Sequence, residues 1–103
     1  MKNKIRLLLD YGCNPIWVYD HNGKFIGNQT YFEFKKYPDL KIASEEIQKI
    51  YDALFINNDK LFEYNGFSSE EERLLFSEKI EKLAATLIHY FGDRYIISYE
   101  VQF

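Results

Sequence analysis

Cys13 is the single thiol in this 103-residue chain, and His21 and His89 are its two imidazoles. A cysteine becomes a nucleophile when a histidine near it in space takes its proton, so these three side chains hold all the chemistry of that kind that the chain can offer. His89 follows Leu87 by two places in a strongly helical stretch and reads as a solvated or satisfied helix residue, while His21 sits in a turn. The plainer reading of Cys13 is a small, inert hydrophobe. The chemical alternative is a small ligand-binding or enzymatic domain with a pocket near Cys13, Trp17 and His21. Two His and one Cys at scattered positions make no zinc pattern, so no metal and no other cofactor is expected. Glu70, Glu71 and Glu72 are consecutive, and neighbouring residues on a helix point apart, which suits the positive first turn of a helix better than a shared acid/base site. Neither a phosphate-cradling glycine loop nor a nucleophile elbow is present. Rings interleave with lysines between Lys24 and Lys41, a pattern able to stack bases and meet phosphates. The net charge of −3 opposes that use, and no direct nucleic-acid binding is expected.

The elements that must carry these residues are legible in outline. Hydrophobic residues make up 47% of the chain and aromatic ones 18%, far from disordered composition, so one domain spanning residues 1–103 is expected to fold without staples. Lys2 to Tyr11 places Ile5, Leu8 and Leu9 at helical spacing, and Gly12 would stop that short N-terminal helix; a strand is the competing reading. Pro15 pushes Asn14 out of the helical region and leads into Ile16-Trp17-Val18-Tyr19, a strand in which Trp17 is expected to anchor the core. Asn22-Gly23 predicts a hairpin turn with Lys24 to Asn28 as the return strand. Gln29 to Lys41 predicts a loop or a third short strand, with Pro38 blocking regular structure.

Further on, Ser44 is a plausible cap for a helix carrying Ile47, Ile50, Tyr51 and Leu54, ended by Asn57-Asn58-Asp59, with Glu45 and Glu46 in its first turn. Leu61 to Tyr64 predicts a short strand. Ser68 with Glu71, or Ser69 with Glu72, forms a capping box for the longest helix, whose stripe runs through Leu75, Phe76, Ile80, Leu83, Leu87 and Phe91 to a closing Gly92. Arg94 to Phe103 alternates with period two, as a half-buried strand does. The expected fold is therefore α+β: a mostly antiparallel sheet of about four strands, two main helices packed on it, and the short N-terminal helix.

Charge is uneven along the chain. Residues 1–41 sum to +3 and residues 42–103 to −6, so the second half suits a basic partner and would speed its encounter. The plainer reading is a set of solvated helix faces. No stretch reads as a membrane span and the N-terminus lacks the apolar core of a secretory signal, which together with the lone cysteine predicts a cytoplasmic protein.

The run Leu8-Leu9-x-Tyr11-Gly12-Cys13-x-Pro15-x-Trp17-x-Tyr19-Asp20 followed by Asn22-Gly23 resembles a group of small bacterial proteins encoded beside polymorphic and contact-dependent toxins, the toxin-immunity proteins. Tyr51-Asp52-x-Leu54-Phe55-Ile56-Asn57-Asn58 and Gly92-Asp93-x-Tyr95 extend the likeness, which covers most of the chain in element order. The resemblance implies a cytoplasmic, non-enzymatic protein that binds its cognate toxin and blocks the toxin's active or substrate-binding surface. From charge alone, that toxin is expected to be a basic domain such as a nuclease. The contact surface expected on this reading comprises Glu45, Glu46, Asp52 and Asp59, with Tyr31, Phe32 and Tyr37 as aromatic anchors. An accessory subunit using its aromatic surface in a larger assembly is a further alternative.

Overall fold

Ile5 and Leu7 are fully buried while Lys4 and Arg6, which alternate with them, stay half-exposed, and that period of two marks Asn3–Leu7 as a strand, β1. The computed structural model describes residues 1–27 and 36–103. β1 corrects the expected N-terminal helix, whose apparent spacing arose because the apolar run continues through Leu8 and Leu9 past the strand's end. The rest of the chain follows as β2 (Ile16–Tyr19), β3 (Phe25–Gly27), α1 (Pro38–Asp52), β4 (Phe55–Asn57), β5 (Phe62–Tyr64), α2 (Glu70–Phe91) and β6 (Tyr95–Tyr99). The architecture is α+β. A four-stranded sheet runs in the order β3-β2-β1-β6, with β1 antiparallel to β2 and parallel to β6, and β4 and β5 form a separate two-stranded ladder.

Both helices cover one face of the sheet. Ile5 and Leu7 of β1 and Ile16 and Val18 of β2 meet Leu40 and Ile47 of α1 and the α2 stripe Phe76, Ile80, Leu83, Leu87 and Phe91. The stripe recurs every three or four positions, so α2 presents one continuous apolar edge. Burying each such side chain contributes about 1.5–3 kcal/mol, and Leu83→Ala in this packing would cost about 2–5 kcal/mol. Leu75, expected in the stripe, is 53% exposed. Trp17 also departs from expectation. Ile16 and Val18 take the core face of β2, which turns Trp17 and Tyr19 to the face opposite the helices, where Trp17 packs on Phe25 at 5.5 Å and donates Nε1–H to the Leu8 carbonyl at 3.3 Å.

The helix starts follow from their caps. Pro38 opens α1 rather than blocking it, because the first N–H groups of a helix lack internal partners and proline's fixed φ suits that turn. Ser44 is consequently not a cap: it lies inside α1, fully buried. Glu45 and Glu46 therefore sit mid-helix. α1 ends at Asp52, so Asn57 belongs to β4, a strand that the helical reading had absorbed. α2 begins at the second of the two expected boxes, with Ser69 accepting from the Glu72 N–H at 3.1 Å. The β2–β3 turn uses Gly23 at φ +87°, while the Asp20 carboxylate accepts from the N–H groups of Asn22 and Lys24 at 2.9 and 2.8 Å. The return strand covers Phe25–Gly27, and Asn28 together with most of the expected third strand lies outside the described residues.

Candidate functional site

The turn between β1 and β2 holds Cys13, and its geometry suppresses thiol chemistry. Burial first, then the nearby carboxylates of Asp10 and Asp52, pushes the Cys13 pKa above that of an ordinary thiol, so the nucleophilic thiolate is disfavoured. His21 lies in the turn at the opposite end of β2 and is exposed. Four strand residues separate the two turns by roughly 13 Å, too far for proton transfer. Trp17 stands on the sheet face opposite the helices, and His89 is exposed on α2 with its ring 5.3 Å from that of Tyr90. Among the described residues, no three His, Cys, Asp or Glu side chains are grouped to hold a metal ion.

The same turn is bound to α1 at two points, which explains much of its sequence. Asn14 is buried, donates Nδ2–H to Ser44 Oγ at 3.0 Å and accepts the Ile16 N–H on Oδ1 at 2.9 Å. Ser44 passes the chain on by donating to the Lys41 carbonyl at 3.0 Å. Gly12, at φ +73°, donates its N–H to Asp52 Oδ1 at 2.9 Å at the end of the helix.

The expected contact residues fall at different places along α1 and beyond it. Tyr37 precedes the helix, half-buried, with its ring 4.5 Å from Tyr90 and 5.1 Å from Phe91. Glu45 is exposed in mid-helix, and Glu46 accepts Lys79 Nζ of α2 at 2.6 Å. Asp52 holds Gly12, and Asp59 is exposed in the β4–β5 turn. A helix of this length spans roughly 22 Å, so Tyr37 and Asp52 mark opposite ends rather than one cluster. Tyr31 and Phe32 lie outside the described residues.

What does converge is a group of rings at the Asp52 end. Tyr11 sets its ring against Phe55 at 5.0 Å and Phe62 at 4.9 Å; Phe55 in turn meets Tyr51 at 5.2 Å, Tyr64 at 5.1 Å and Phe62, nearly parallel, at 5.4 Å. The register explains it: Phe55 pairs with Tyr64 and Asn57 with Phe62, placing these side chains on one face of the hairpin. Asn57 Nδ2 donates to the Tyr11 hydroxyl at 3.1 Å. Asn58 orders the turn by accepting from the N–H groups of Lys60 and Leu61 at 2.9 and 3.0 Å. Asn58-Asp59 between two apolar runs is a hairpin signal, but nothing in sequence order brings Tyr11 there. Beside the hairpin, an apolar cleft of about 460 Å³ opens between α1 and α2, lined by Ile50, Leu54, Phe67, Leu75 and Phe76.

On the sheet face opposite the helices, Arg6 grips Glu100 through Nε at 2.7 Å and Nη2 at 2.6 Å and lies 5.1 Å from the Tyr19 ring centre. The paired guanidinium, with help from Ser98, brings the Glu100 carboxyl down to about 2. No helix among the described residues is long and apolar enough to cross a membrane.

Compared with known families, residues 3–102 match the family described as Serratia CdiI immunity protein-like. No curated protein matches the chain.

Proposed function

Starting from the premise that the chain belongs to the Serratia CdiI immunity protein-like family, we propose that it binds a cognate contact-dependent inhibition toxin and covers that toxin's active or substrate-binding surface. The family match over nearly the whole chain carries this reading. The suppressed Cys13 and its separation from His21 favour a binding protein over a thiol enzyme. On this reading the protein acts stoichiometrically, in the cytoplasm, and one domain does the work.

Charge supports a basic target. Residues 42–103 carry −6, and a toxin that handles nucleic acid presents the cationic surface that such a field attracts. Glu45, Glu46, Asp52 and Asp59 supply carboxylates for it, with Tyr31, Phe32 and Tyr37 as the aromatic contacts. Co-expression with the toxin domain encoded beside this chain's gene tests the proposal. Growth should be restored, and the two chains should co-migrate on size-exclusion chromatography. Continued killing with no complex would reject it.

A further inference from the structure

The β4–β5 hairpin stands apart from the main sheet, and its residues are spent on order rather than on burial. Strands of three residues are marginal by themselves in water. This hairpin is nevertheless fixed from outside: the Tyr11 and Tyr51 rings buttress Phe55, Asn57 reaches the Tyr11 hydroxyl, and the Leu54 carbonyl accepts the N–H groups of Asn65 and Gly66 at 2.6 and 3.2 Å. Despite that investment, Phe62 is 57% exposed, Tyr64 46%, Leu61 45% and Ile56 37%. Scattered exposed apolar residues are ordinary, but Phe62 and Tyr64 side by side on the face of a preformed ring stack, with Leu61 at the turn, mark a contact surface, while Ile56 lies on the hairpin's other face.

The charges around the rings say what kind of surface would meet them. Asp10 and Asp59 are exposed about the hairpin, Glu63 is exposed on the strand face next to the rings' own, and Asp52 stands at its root, against Lys60 in the turn. Arg73, close enough to act on Tyr64, is itself held by Glu70 at 3.0 to 3.2 Å. A ring surface rimmed by carboxylates complements a cleft with an apolar floor and Arg or Lys walls, where guanidinium groups can stack on rings and pair with the acids.

We propose that the β4–β5 hairpin is a preformed aromatic arm that enters a cationic cleft of a basic protein domain. On the reading given above, and resting on it, that domain is the toxin, and the arm occupies the cleft that its anionic substrate would use. Little ordering entropy is lost on docking, because the rings and the turn are already in place.

The test is binding of the purified chain to the adjacent-gene toxin domain by biolayer interferometry, across a range of salt. Phe62→Ala should weaken Kd by roughly thirty-fold or more. The double variant Asp59→Lys and Glu63→Lys leaves every ring in place; it should slow association about ten-fold at low salt, with the gap closing as salt rises. Glu78→Lys, on α2 away from the arm, should stay within about three-fold of wild type. Thermal melts confirm that each variant is folded, and the charge-reversal pair still reports on the arm if Phe62→Ala loosens the hairpin. Wild-type binding with both arm variants equally tight overturns the arm and leaves toxin binding standing. No wild-type binding overturns both. A wild-type dimer that Phe62→Ala converts to monomer reassigns the arm to self-association and overturns the proposal.

Discussion

Replacing Asn14 by alanine should destabilise the protein by about 2–3 kcal/mol without touching its interface. Asn14 is 6% exposed and, among the described residues, donates to Ser44 Oγ at 3.0 Å and accepts the Ile16 N–H at 2.9 Å from a buried position. Each such bond has a net worth of about 1 kcal/mol, and the buried groups that lose their partner add a desolvation cost of similar size. Ser44→Ala should cost about 1–2 kcal/mol, since it loses the Asn14 bond and its own donation to the Lys41 carbonyl. The double variant should fall short of the sum by about 1 kcal/mol, the energy of the one bond that the two residues share. Urea unfolding followed by far-UV circular dichroism measures all four proteins. With a slope of about 1.5 kcal/mol per molar, Asn14→Ala moves the midpoint down by about 1.5 M at unchanged slope. A coupling below about 0.3 kcal/mol would mean that Asn14 and Ser44 contribute independently, and the claim that this bond fastens the β1–β2 turn to α1 would be wrong. At temperatures where the variant remains folded, its toxin neutralisation should match wild type.

Cys13→Ser should preserve neutralisation and change stability by less than about 1 kcal/mol, and the wild-type thiol should react with a chromogenic disulfide reagent more slowly than free cysteine; a folded Cys13→Ser protein that fails to protect would reinstate thiol chemistry. The depressed Glu100 carboxyl, about 2 against an ordinary 4.5, supports the fold fully above pH 4.5 and loses that support as pH falls toward 2. Glu100→Gln should therefore be less stable than wild type at pH 7 and lose less on acidification, as urea midpoints from pH 7 to 2.5 would show; parallel curves would refute the pairing with Arg6. Asp52→Ala should cost about 1 kcal/mol by removing the acceptor of the Gly12 N–H, while Asp52→Asn, which keeps an acceptor oxygen, should recover most of it in the same unfolding assay.

The parts of the fold that sequence reasoning located are those whose signals are local. Ser69 and Glu72 cap α2 within three residues of each other, the α2 stripe is one helix face, and Asn22-Gly23 turns the chain between adjacent strands. Failures came where a distant partner decides. Arg6 interrupts an apolar run that otherwise scans as helical, and its position is explained by Glu100, 94 residues later. Ser44 has the side chain of a cap, yet its partner is Asn14, 30 residues earlier, so it is used inside the helix. Pro38 and Trp17 depart from their usual roles of breaker and core anchor, one opening α1 and the other packing on Phe25. The acids Asp52 and Asp59 were named from sequence, but the ring cluster beside them was not, because Tyr11, Tyr51, Phe55 and Phe62 meet only once β1, α1 and the hairpin are assembled.

The parallel pairing of β1 with β6 places a demand on time. β1 is an inner strand of the sheet, and its register of Asn3 with Tyr95 through Leu7 with Tyr99 waits on residues made 92 positions later (95 − 3). Ladders that close over so long a stretch of chain form slowly, because the loop must be ordered before any pairing rewards it. Until those residues emerge, a growing chain can build β1, β2, β3 and α1 but lacks the strand that completes the other side of β1. The native sheet, and with it the proposed toxin binding, would then lag the emergence of β6 by the folding time of this last step.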